Sequence, residues 1–411
     1  MMKKVPKRRF KGFLNAGDWE QRKLGEIFGY LQNNTLSRDS LNYKNPNIKN
    51  IHYGDILVKF DEILDGSNKD IPYINSELDL SKFSKSLLRD GDIIFSDTAE
   101  DDTVGKAIEL QNVNAPFILS GLHTIPCRPL IPFGKGYLGN FLNSDSYRLQ
   151  LRPLVQGIKV SSISKSALKD TMIEYPKNLD EQEKIGSLFY YIAKMITLHQ
   201  RKLEKLQATK KALLYELFPI ENSRRPKRRF KGFTGDWEQR KLADVANIIM
   251  GQSPSSQNYT DNPNDNILVQ GNADLIDGQV VPRLWTKEIT KSIDAGNIVM
   301  TVRAPVGDVA KTAYKVVLGR GVAGIKGDEY IYQFLLKLKY NHYWRSLSSG
   351  STFESINSND IKNLIIDIPC DEERTKIRNL LSTTDTLITL HQRKLEKLKN
   401  LKAAYLNEMF V

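Results

Sequence analysis

Two long stretches of the chain place apolar side chains at alternating steps of four and three residues. One stretch lies between Pro176 and Pro219, and the other reaches the last residues of the chain. This spacing predicts the seam of a heptad-patterned helix, and about 37 residues at 1.5 Å each give a helix of roughly 55 Å. The first predicted seam consists of Ile185, Phe189, Ile192, Ile196, His199, Leu203, Leu206, Lys210, Leu213 and Leu217. The second consists of Ile377, Leu381, Thr384, Ile388, His391, Leu395, Leu398, Lys402, Tyr405 and Met409. We expect the two seams to pair with each other in antiparallel orientation.

The two seam histidines, His199 and His391, admit two interpretations. A polar residue at one seam position can fix the register of paired helices, and histidine is also a common metal ligand. We expect the register role.

The stretches between the helices have the pattern of mixed α/β modules. Short apolar runs entered through a glycine predict strands at 91–96 and 296–301. Helix-like spacing follows at 137–151 and 330–347. The segment 221–227 is polar and basic and contains a proline, which is typical of a linker.

The chain is internally duplicated. The sequence PKRRFKGF begins at Pro6 and again at Pro226, and GDWEQRKL begins at Gly17 and at Gly235. The sequence ITLHQRKLEKL occurs unchanged in the two predicted helices. The modules between these blocks are almost unrelated, but Gly157, Ile163, Ile173 and Pro176 match Gly350, Ile356, Ile366 and Pro369. The chain therefore has two modules with one frame and different variable parts.

These patterns predict an α+β fold with four segments. We expect two mixed α/β domains, 1–178 and 221–370, the second preceded by a basic linker at 221–229. Two long helices, a central one at 179–220 and a C-terminal one at 371–411, separate the domains as an antiparallel coiled-coil-like pair. The duplication predicts a pseudo-two-fold arrangement.

Charge and cysteine content restrict the class of partner and the compartment. The formal net charge is +12 and the pI about 9.3, so we expect a polyanionic partner, nucleic acid before membrane; a merely solubilising surface is the alternative. The basic N-terminus lacks an apolar signal region and no run approaches about 18 apolar residues, which argues against secretion or membrane insertion. Cys127 and Cys370 lie far apart, so a cytoplasmic location fits.

Motifs of catalysis are weak or incomplete. The pattern G-x-G-x-x-G occurs at 134–139 and at 319–324, but neither copy has a well-placed acid after it. Asn45-Pro46 and Asn262-Pro263 lack the second proline and the aromatic residue expected of an adenine methyltransferase, and no P-loop is present. The acidic residues Asp97, Glu100, Asp101 and Asp102 could bind Mg²⁺ in a nuclease. A base-reading or positioning loop is the favoured interpretation because carboxylates can accept from cytosine N4.

Polar and basic loop residues are the candidates for DNA contact, since Arg favours guanine, Gln and Asn favour adenine, and Ser, Thr and Lys favour the backbone. For any one of them, a structural or solvated role is the alternative. In the first module the candidates are Tyr53, Lys59, Asp97, Lys106, His123 and Lys159. In the second module they are Gln252, Ser253, Ser255, Tyr259, Gln270, Arg283, Arg303, Lys311, Arg320, Ser351 and Thr352.

The whole chain resembles the specificity subunit of type I restriction-modification systems. The resemblance rests on the two variable modules, the repeated helices and the GDWEQRKL segments. The stretches at 250–256, 303–307 and 350–356 look like a widespread type of target-recognition domain, and those at 51–56 and 121–124 resemble another type.

The resemblance implies a targeting role without catalysis. Each recognition domain would read one half of an interrupted, asymmetric double-stranded DNA site, and the helices would set the gap and dock two modification subunits. The residues expected to serve helix pairing and docking are Ile185, Ile192, Ile196, His199, Leu203, Leu206, Ile388, His391, Leu395 and Leu398. Those partners would use S-adenosylmethionine to methylate a flipped adenine, and motor-nuclease subunits would add ATP and Mg²⁺. This chain would bind no cofactor and no metal. A self-sufficient methyltransferase or nuclease, and an architectural protein that binds DNA without sequence preference, are the alternatives.

Overall fold

Two long helices carry the predicted seams in the computed structural model, which describes residues 5–44, 47–75, 80–114, 117–157, 159–220, 223–347 and 355–411. The central helix spans Leu179–Glu216 and the C-terminal helix spans Asp371–Met409. Every seam position is buried or half-buried, whereas most positions between them are exposed. The fold-class prediction of two sheet-rich α/β modules and two long helices is confirmed.

The chain forms two compact units, each of which takes half of each long helix. The first unit is Met1–Gln200 with Arg393–Val411, and the second is Arg201–Gln392. In the first unit, Phe189 of the central helix stacks on Phe410, which directly follows the C-terminal helix, with ring centroids 5.7 Å apart. The beginning of one helix thus packs beside the end of the other.

The second unit repeats this packing with the helices exchanged. Leu214 and Leu217, near the end of the central helix, share a hydrophobic core with Ile377 and Leu381, near the beginning of the C-terminal helix. Within each unit, therefore, the two helix segments run antiparallel.

Two sheets build the module of the first unit. The larger sheet has, in spatial order, the strands Phe28–Tyr30, Thr124–Pro129, Ile93–Ser96, Ala107–Gln111 and Ile63–Asp65. The smaller has Ile118–Ser120, Lys49–Ile51, Tyr73–Ile74 and Leu41–Asn42. The short helices are Leu24–Ile27, Tyr53–Val58, Tyr137–Phe141, Asp145–Leu151 and Lys165–Lys169.

The module of the second unit has the same plan with a different sequence. Its larger sheet has the strands Asn247–Met250, Val322–Lys326, Ile298–Thr301, Val309–Lys311, Gln279–Val280 and Leu275–Ile276. Its smaller sheet has Tyr259–Thr260, Trp285–Thr286, Asn266–Val269, Val316–Leu318 and Ser292–Ile293. The short helices are Leu242–Val245, Glu329–Tyr340, Tyr343–Leu347 and Ser358–Lys362.

The strands predicted at 91–96 and 296–301 are confirmed, and each begins two residues later than its glycine. The helices predicted at 137–151 and 330–347 are present, but each is interrupted. Phe141 and Asp145 bound the first break, and Tyr340 and Tyr343 bound the second. In both cases the helical segment before the break is strongly buried.

Each repeated GDWEQRKL segment contributes one strand to a two-stranded ribbon, and the other strand lies shortly before a long helix. Glu20–Lys23 pairs antiparallel with Met172–Tyr175, and Glu238–Lys241 pairs in the same way with Ile365–Ile368. Ile173 and Ile366, which belong to the faint shared skeleton of the modules, lie on these ribbons and are fully buried. This pair of the skeleton therefore lies where each module joins a long helix.

No helix within the described ranges combines the length and apolar character needed to cross a membrane.

Candidate nucleic-acid interface

Three strands of the second module end at one corner of the module. After Asn266–Val269 and Val316–Leu318, which pair in parallel, the amide of Gly319 donates to the carbonyl of Val269 at 2.7 Å. After Ile298–Thr301, the amide of Val302 donates to the carbonyl of Gly321 at 2.9 Å. The residues that follow the three strands are therefore held together by backbone hydrogen bonds. We call this place the strand-end corner.

The first module has an equivalent strand-end corner, after Lys49–Ile51, Ile118–Ser120 and Ile93–Ser96. The amide of Gly121 donates to the carbonyl of Ile51 at 2.9 Å, and the amide of Asp97 donates to the carbonyl of His123 at 3.1 Å. The two modules therefore present different side chains from the same backbone frame.

Four of the predicted DNA-contact residues of the second module line one cavity at its corner. The cavity has a volume of about 260 Å³ and is lined by Ser253, Gln270, Gly271, Asn272, Arg303, Ala304, Arg320 and Gly321. These lining residues include two guanidinium groups and no carboxylate. Arg303 and Arg320 are exposed and make no ion pair with any residue that the structure describes. Two uncompensated positive charges at one opening favour an anionic or guanine-bearing ligand.

Hydrogen bonds position the neutral members of this cavity. The side-chain amide of Gln270 donates from Nε2 to Tyr259 Oη at 2.8 Å. Ser253 Oγ accepts the backbone amide of Arg320 at 3.0 Å. Exposed Gln252 is tied to the end of a corner strand, because its amide donates to the carbonyl of Leu318 at 2.8 Å.

The remaining candidates of the second module are spread more widely. The amide of Ser255 and the side chain of Asn258 both donate to Glu288. These hydrogen bonds lower the pKa of the Glu288 carboxyl, and the bond from Asn258 has the larger effect. Arg283 is exposed, with Nη1 3.8 Å from an oxygen of Asp274. Ser351 and Thr352 lie outside the described residues.

Lys311 is paired with an acid inside the second unit. Its ammonium contacts the carboxylate of Glu329 and lies 4.6 Å from the ring centroid of Tyr332.

In the first module, Tyr53, Asp97 and His123 come together at the corner. His123 Nδ1 lies 3.2 Å from Asp97 Oδ1, and its ring meets that of Tyr53 edge-on at 5.3 Å. Thr98 Oγ1 donates to the same Asp97 oxygen at 2.7 Å, and His52 lies beside Tyr53 at 4.6 Å. This cluster offers a carboxylate, an imidazole and a phenol, which can donate and accept at base edges.

The lysines predicted for the first module have unequal surroundings. Lys59 contacts Asp55 at 2.9 Å and the hydroxyl of Tyr43 at 3.0 Å. Lys106 donates to the carbonyls of Leu57 and Phe60 at 3.2 and 2.8 Å, and burial lowers the pKa of its ammonium. Lys159 is exposed.

Sequence reasoning missed Asn272, Thr98 and His52 at the two corners. Each lies within three residues of the end of a corner strand, and that position is the signal that could have identified it.

The glycine patterns have structural uses in this fold. The amides of Gly136 and Gly139 donate to the buried carboxylate of Glu109 at 2.6 and 2.9 Å. A Cβ on Gly139 would lie 2.4 Å from the carbonyl oxygen of Glu62, so only glycine fits there. In the second pattern, 319–321 form a turn between two strands and 322–324 belong to the second strand, so no helix follows directly. The first copy therefore has its amides occupied by Glu109, and the second lacks a following helix, so neither meets the requirements of a dinucleotide site.

The acidic residues of the first module have separate partners. Asp97 binds Thr98 and lies beside His123, whereas Asp101 accepts the amide of Thr103 at 2.9 Å and also its hydroxyl. Asn45-Pro46 lies outside the described residues.

The seam histidines differ in burial. His391 is buried and His199 is half-buried, and each has a side-chain interaction, so neither is free.

Comparisons with known proteins place these features in a family. The family described as the type I restriction modification DNA specificity domain matches the chain twice, at 16–208 and 234–400. A candidate type I restriction enzyme MjaX specificity subunit from Methanocaldococcus jannaschii is 27% identical over 410 residues, which cover 95% of this chain and 92% of the relative.

Two solved structures have a similar fold. The S subunit of the type I restriction-modification system of M. genitalium has a TM-score of 0.66 at 13% identity, covering 99% of each chain. A chain from a study of complex assembly and conformational transition of the type I R-M system has a TM-score of 0.52 at 21% identity, covering 95% of this chain and 97% of its own. Since the family matches both duplicated halves, this chain belongs to the DNA specificity subunits of type I restriction-modification systems.

Proposed function

We propose that the two strand-end corners are the surfaces that read DNA, one for each half of an interrupted site. The membership in the family gives DNA sequence specificity to the chain, and the corners give that specificity a location. The two corners share a backbone frame and differ in side chains, so the two half-sites differ in sequence.

The observation that carries this proposal is the cavity at the second corner. Arg303 and Arg320 open into it without a compensating acid among its lining residues, and Gln270 and Asn272 add side-chain amides. Arginine pairs with guanine O6 and N7, and a side-chain amide pairs with adenine N6 and N7. The same groups also suit phosphate, which positions the duplex without reading its sequence.

The chemistry belongs to partners in this proposal. Two modification subunits supply S-adenosylmethionine and methylate adenine after base flipping, and motor-nuclease subunits supply ATP and Mg²⁺ for cleavage. This chain binds none of these cofactors and works in the cytoplasm.

The docking surface proposed for the modification subunits is an exposed apolar face that occurs on both helices. On the central helix, Met195 and Leu198 are 47% and 63% exposed. Their counterparts in the C-terminal helix are Leu387, directly before the unchanged repeat, and Leu390 within it, which are 39% and 44% exposed. An exposed apolar patch on a protein surface marks an interaction site. Because the face occurs twice, it supports two equivalent subunits, and we infer that the length of the helices sets the gap.

Mapping of adenine methylation across the genome tests this function. Cells that carry this gene and its neighbouring modification gene are compared with cells that lack only this gene. The expected result is a bipartite, asymmetric motif that disappears with the gene. Unchanged methylation, with the modification subunit expressed, would overturn the proposal.

Two further outcomes would favour the alternatives. Methyl transfer by the purified chain with S-adenosylmethionine and DNA alone would identify an enzyme. Equal affinity for all duplexes, with a uniform fall in affinity as salt rises, would identify a DNA binder without sequence preference.

A further inference from the structure

Each predicted helix seam contains one lysine, at the same position of the repeat. Lys210 occupies it in the central helix and Lys402 in the C-terminal helix, among otherwise apolar, histidine and threonine seam residues. A buried ammonium is stabilised only when it is paired and hydrogen-bonded, so a lysine in a seam requires a specific acid opposite it. The structure shows that acid in both units, and the two acids come from different elements.

Lys402 binds directly to the recognition domain of the first unit. Its Nζ lies 2.8 Å from both carboxylate oxygens of Glu62, and both side chains are largely buried. Glu62 immediately precedes the edge strand Ile63–Asp65, and its carbonyl accepts the amide of Glu109 at 2.9 Å. The buried carboxylate of Glu109 in turn accepts the amides at the beginning of the helix Tyr137–Phe141. The lysine therefore connects the C-terminal helix to the larger sheet of the first domain.

Lys210 makes the corresponding connection in the second unit through a chain of side chains. It pairs with Asp385 of the C-terminal helix, whose Oδ2 accepts from Gln333 Nε2 at 2.6 Å. Gln333 lies on the domain helix Glu329–Tyr340 and also donates to Glu329 Oε1 at 2.7 Å. The other oxygen of Glu329 pairs with Lys311, at the end of the strand Val309–Lys311. Both long helices and the larger sheet of the second domain thus share one polar network.

The two connections share the lysine and differ in its partners. The lysine is the same in both helices, but Lys402 pairs directly with Glu62 of a module, whereas Lys210 pairs with Asp385 of the other helix and reaches the module through Gln333. Burial lowers the pKa of the Lys210 ammonium against the opposing effect of Asp385, which agrees with a charge that depends on its partner. Displacement of the first domain would separate Glu62 from Lys402, and displacement of the second would break the hydrogen bond from Gln333 to Asp385 beside Lys210. A largely buried charge that loses a partner is destabilised, so these contacts favour one position of each domain on the helices.

We propose that Lys210 and Lys402 are positioning residues that fix the position of each recognition domain on the helices. They thereby restrict the gap allowed between the two half-sites. The inference rests on the proposed function, since a gap exists only if the two domains read two half-sites. It assigns the choice of gap to these pairs as well as to helix length.

The test compares Lys402→Met with Lys402→Arg and with Lys399→Met, a matched control at an exposed lysine of the same helix. Each full-length variant, assembled with its modification subunits, methylates a library of duplexes that carry both half-sites at gaps from two base pairs shorter to two longer than the preferred one. Lys402→Met is expected to lower the preference for one gap by roughly tenfold, as for the loss of a charged hydrogen bond, with unchanged half-site sequences. Lys402→Arg and the control are expected to keep the wild-type preference. An unchanged gap preference in Lys402→Met would overturn the proposal.

A second measurement does not depend on DNA. Hydrogen–deuterium exchange of the full-length protein is expected to be faster across 61–65 and 107–111 in Lys402→Met than in the control. The reason is that the sheet loses its contact with the C-terminal helix. If the wild type yields no bipartite motif, the proposed function fails, and this measurement still decides whether Lys402 holds the domain in position on the helix. Equal exchange in Lys402→Met and in the control would overturn that positioning role. If Lys402→Met does not fold, Glu62→Gln carries the same two expectations.

Discussion

The guanidinium of Arg229 donates from Nε and Nη2 to the two carboxylate oxygens of Glu373, each at 2.8 Å. Arg9 binds Glu181 in the same way in the first unit, at 2.6 and 2.7 Å. Both acids lie in the first turn of a long helix and are almost completely buried, at 1% and 0% exposure. The arginines belong to the repeated PKRRFKGF segments, so these basic segments hold the beginning of each helix.

Loss of the Arg229 side chain is expected to destabilise the second unit strongly. Among the described residues, Arg229→Ala leaves the buried Glu373 carboxylate with the indole of Trp237, at 3.1 Å, as its remaining side-chain donor. Removal of one partner of a buried ion pair costs about 3 kcal/mol or more. Urea unfolding of the full-length protein measures the change. Arg240→Ala, at an exposed arginine 3.8 Å from Glu238, is the control and is expected to change the free energy of unfolding by less than about 0.5 kcal/mol. Equal effects of the two substitutions would contradict the assignment.

Substitutions at the two strand-end corners are expected to affect separate half-sites. Arg303→Ala and Arg320→Ala remove unpaired guanidinium groups from the second corner, and each is expected to weaken binding roughly tenfold or to relax base preference at one half-site. Asp97→Asn and His123→Ala are expected to affect the other half-site. Binding to duplexes with one randomised half-site, together with circular dichroism of each variant, measures the effect. Equal loss at both half-sites by Arg303→Ala would indicate a folding defect.

The elements built from local patterns could be predicted from the sequence. The heptad spacing located Ile185 and Ile377 in buried seams, and the apolar runs located the strands Ile93–Ser96 and Ile298–Thr301. These features depend on periodicity within one element, which a single sequence contains.

The strand-end corners could not be predicted in the same way. Asp97 and His123 meet because Lys49–Ile51 pairs in parallel with Ile118–Ser120, and Thr124–Pro129 pairs with Ile93–Ser96. Such pairings join segments far apart in the chain, and no local spacing encodes them. The partners of Arg9 and Lys402 were hidden for the same reason: a sequence shows a charge but not the acid that faces it.

The stability of the first unit is expected to fall in mild acid because of His52. Burial, aided by Arg38 and His123 and opposed by Asp55, lowers the pKa of this imidazole below its usual value. Its Nδ1 must be unprotonated to accept the amide of Gly54 at 3.2 Å and cap the helix Tyr53–Val58. Below the ordinary histidine pKa of about 6.5, His52 is protonated in the unfolded chain but still unprotonated in the folded chain. The stability of the folded state therefore falls as the pH falls toward the pKa of His52 in the folded chain.

A variant that caps the helix Tyr53–Val58 with a side chain that does not titrate isolates the effect of His52. Asparagine is a good helix cap, so His52→Asn is expected to fold and to lose less stability than the wild type between about pH 7.5 and about pH 5. Urea unfolding at several pH values measures both proteins. Parallel pH profiles would show that His52 does not contribute.

Charged substitutions on the exposed apolar face of the central helix are expected to prevent assembly with the modification subunits. Met195→Glu and Leu198→Glu together place two carboxylates on the proposed docking surface, while the seam residues beside them are untouched. Size-exclusion chromatography with the modification subunit measures assembly, and DNA binding by the chain alone tests whether the modules remain folded. Lys194→Glu with Lys205→Glu is the control for charge, at exposed positions of the same helix. Unimpaired assembly of the first variant would place the docking surface elsewhere.

The length of the helices is expected to set the gap between half-sites, and whole heptads are the insertions that preserve the seam. Insertion of seven residues after Leu203 and seven after Leu395, the equivalent positions of the repeat, keeps the heptad phase in both helices. Seven residues at 1.5 Å lengthen each helix by about 10 Å, which corresponds to about three base pairs at 3.4 Å each. Methylation mapping is expected to show the same two half-sites with a gap about three base pairs longer. Insertion of five residues at the same places breaks the seam phase and is expected to abolish assembly. A seven-residue insertion that leaves the gap unchanged would mean that the helices do not determine it.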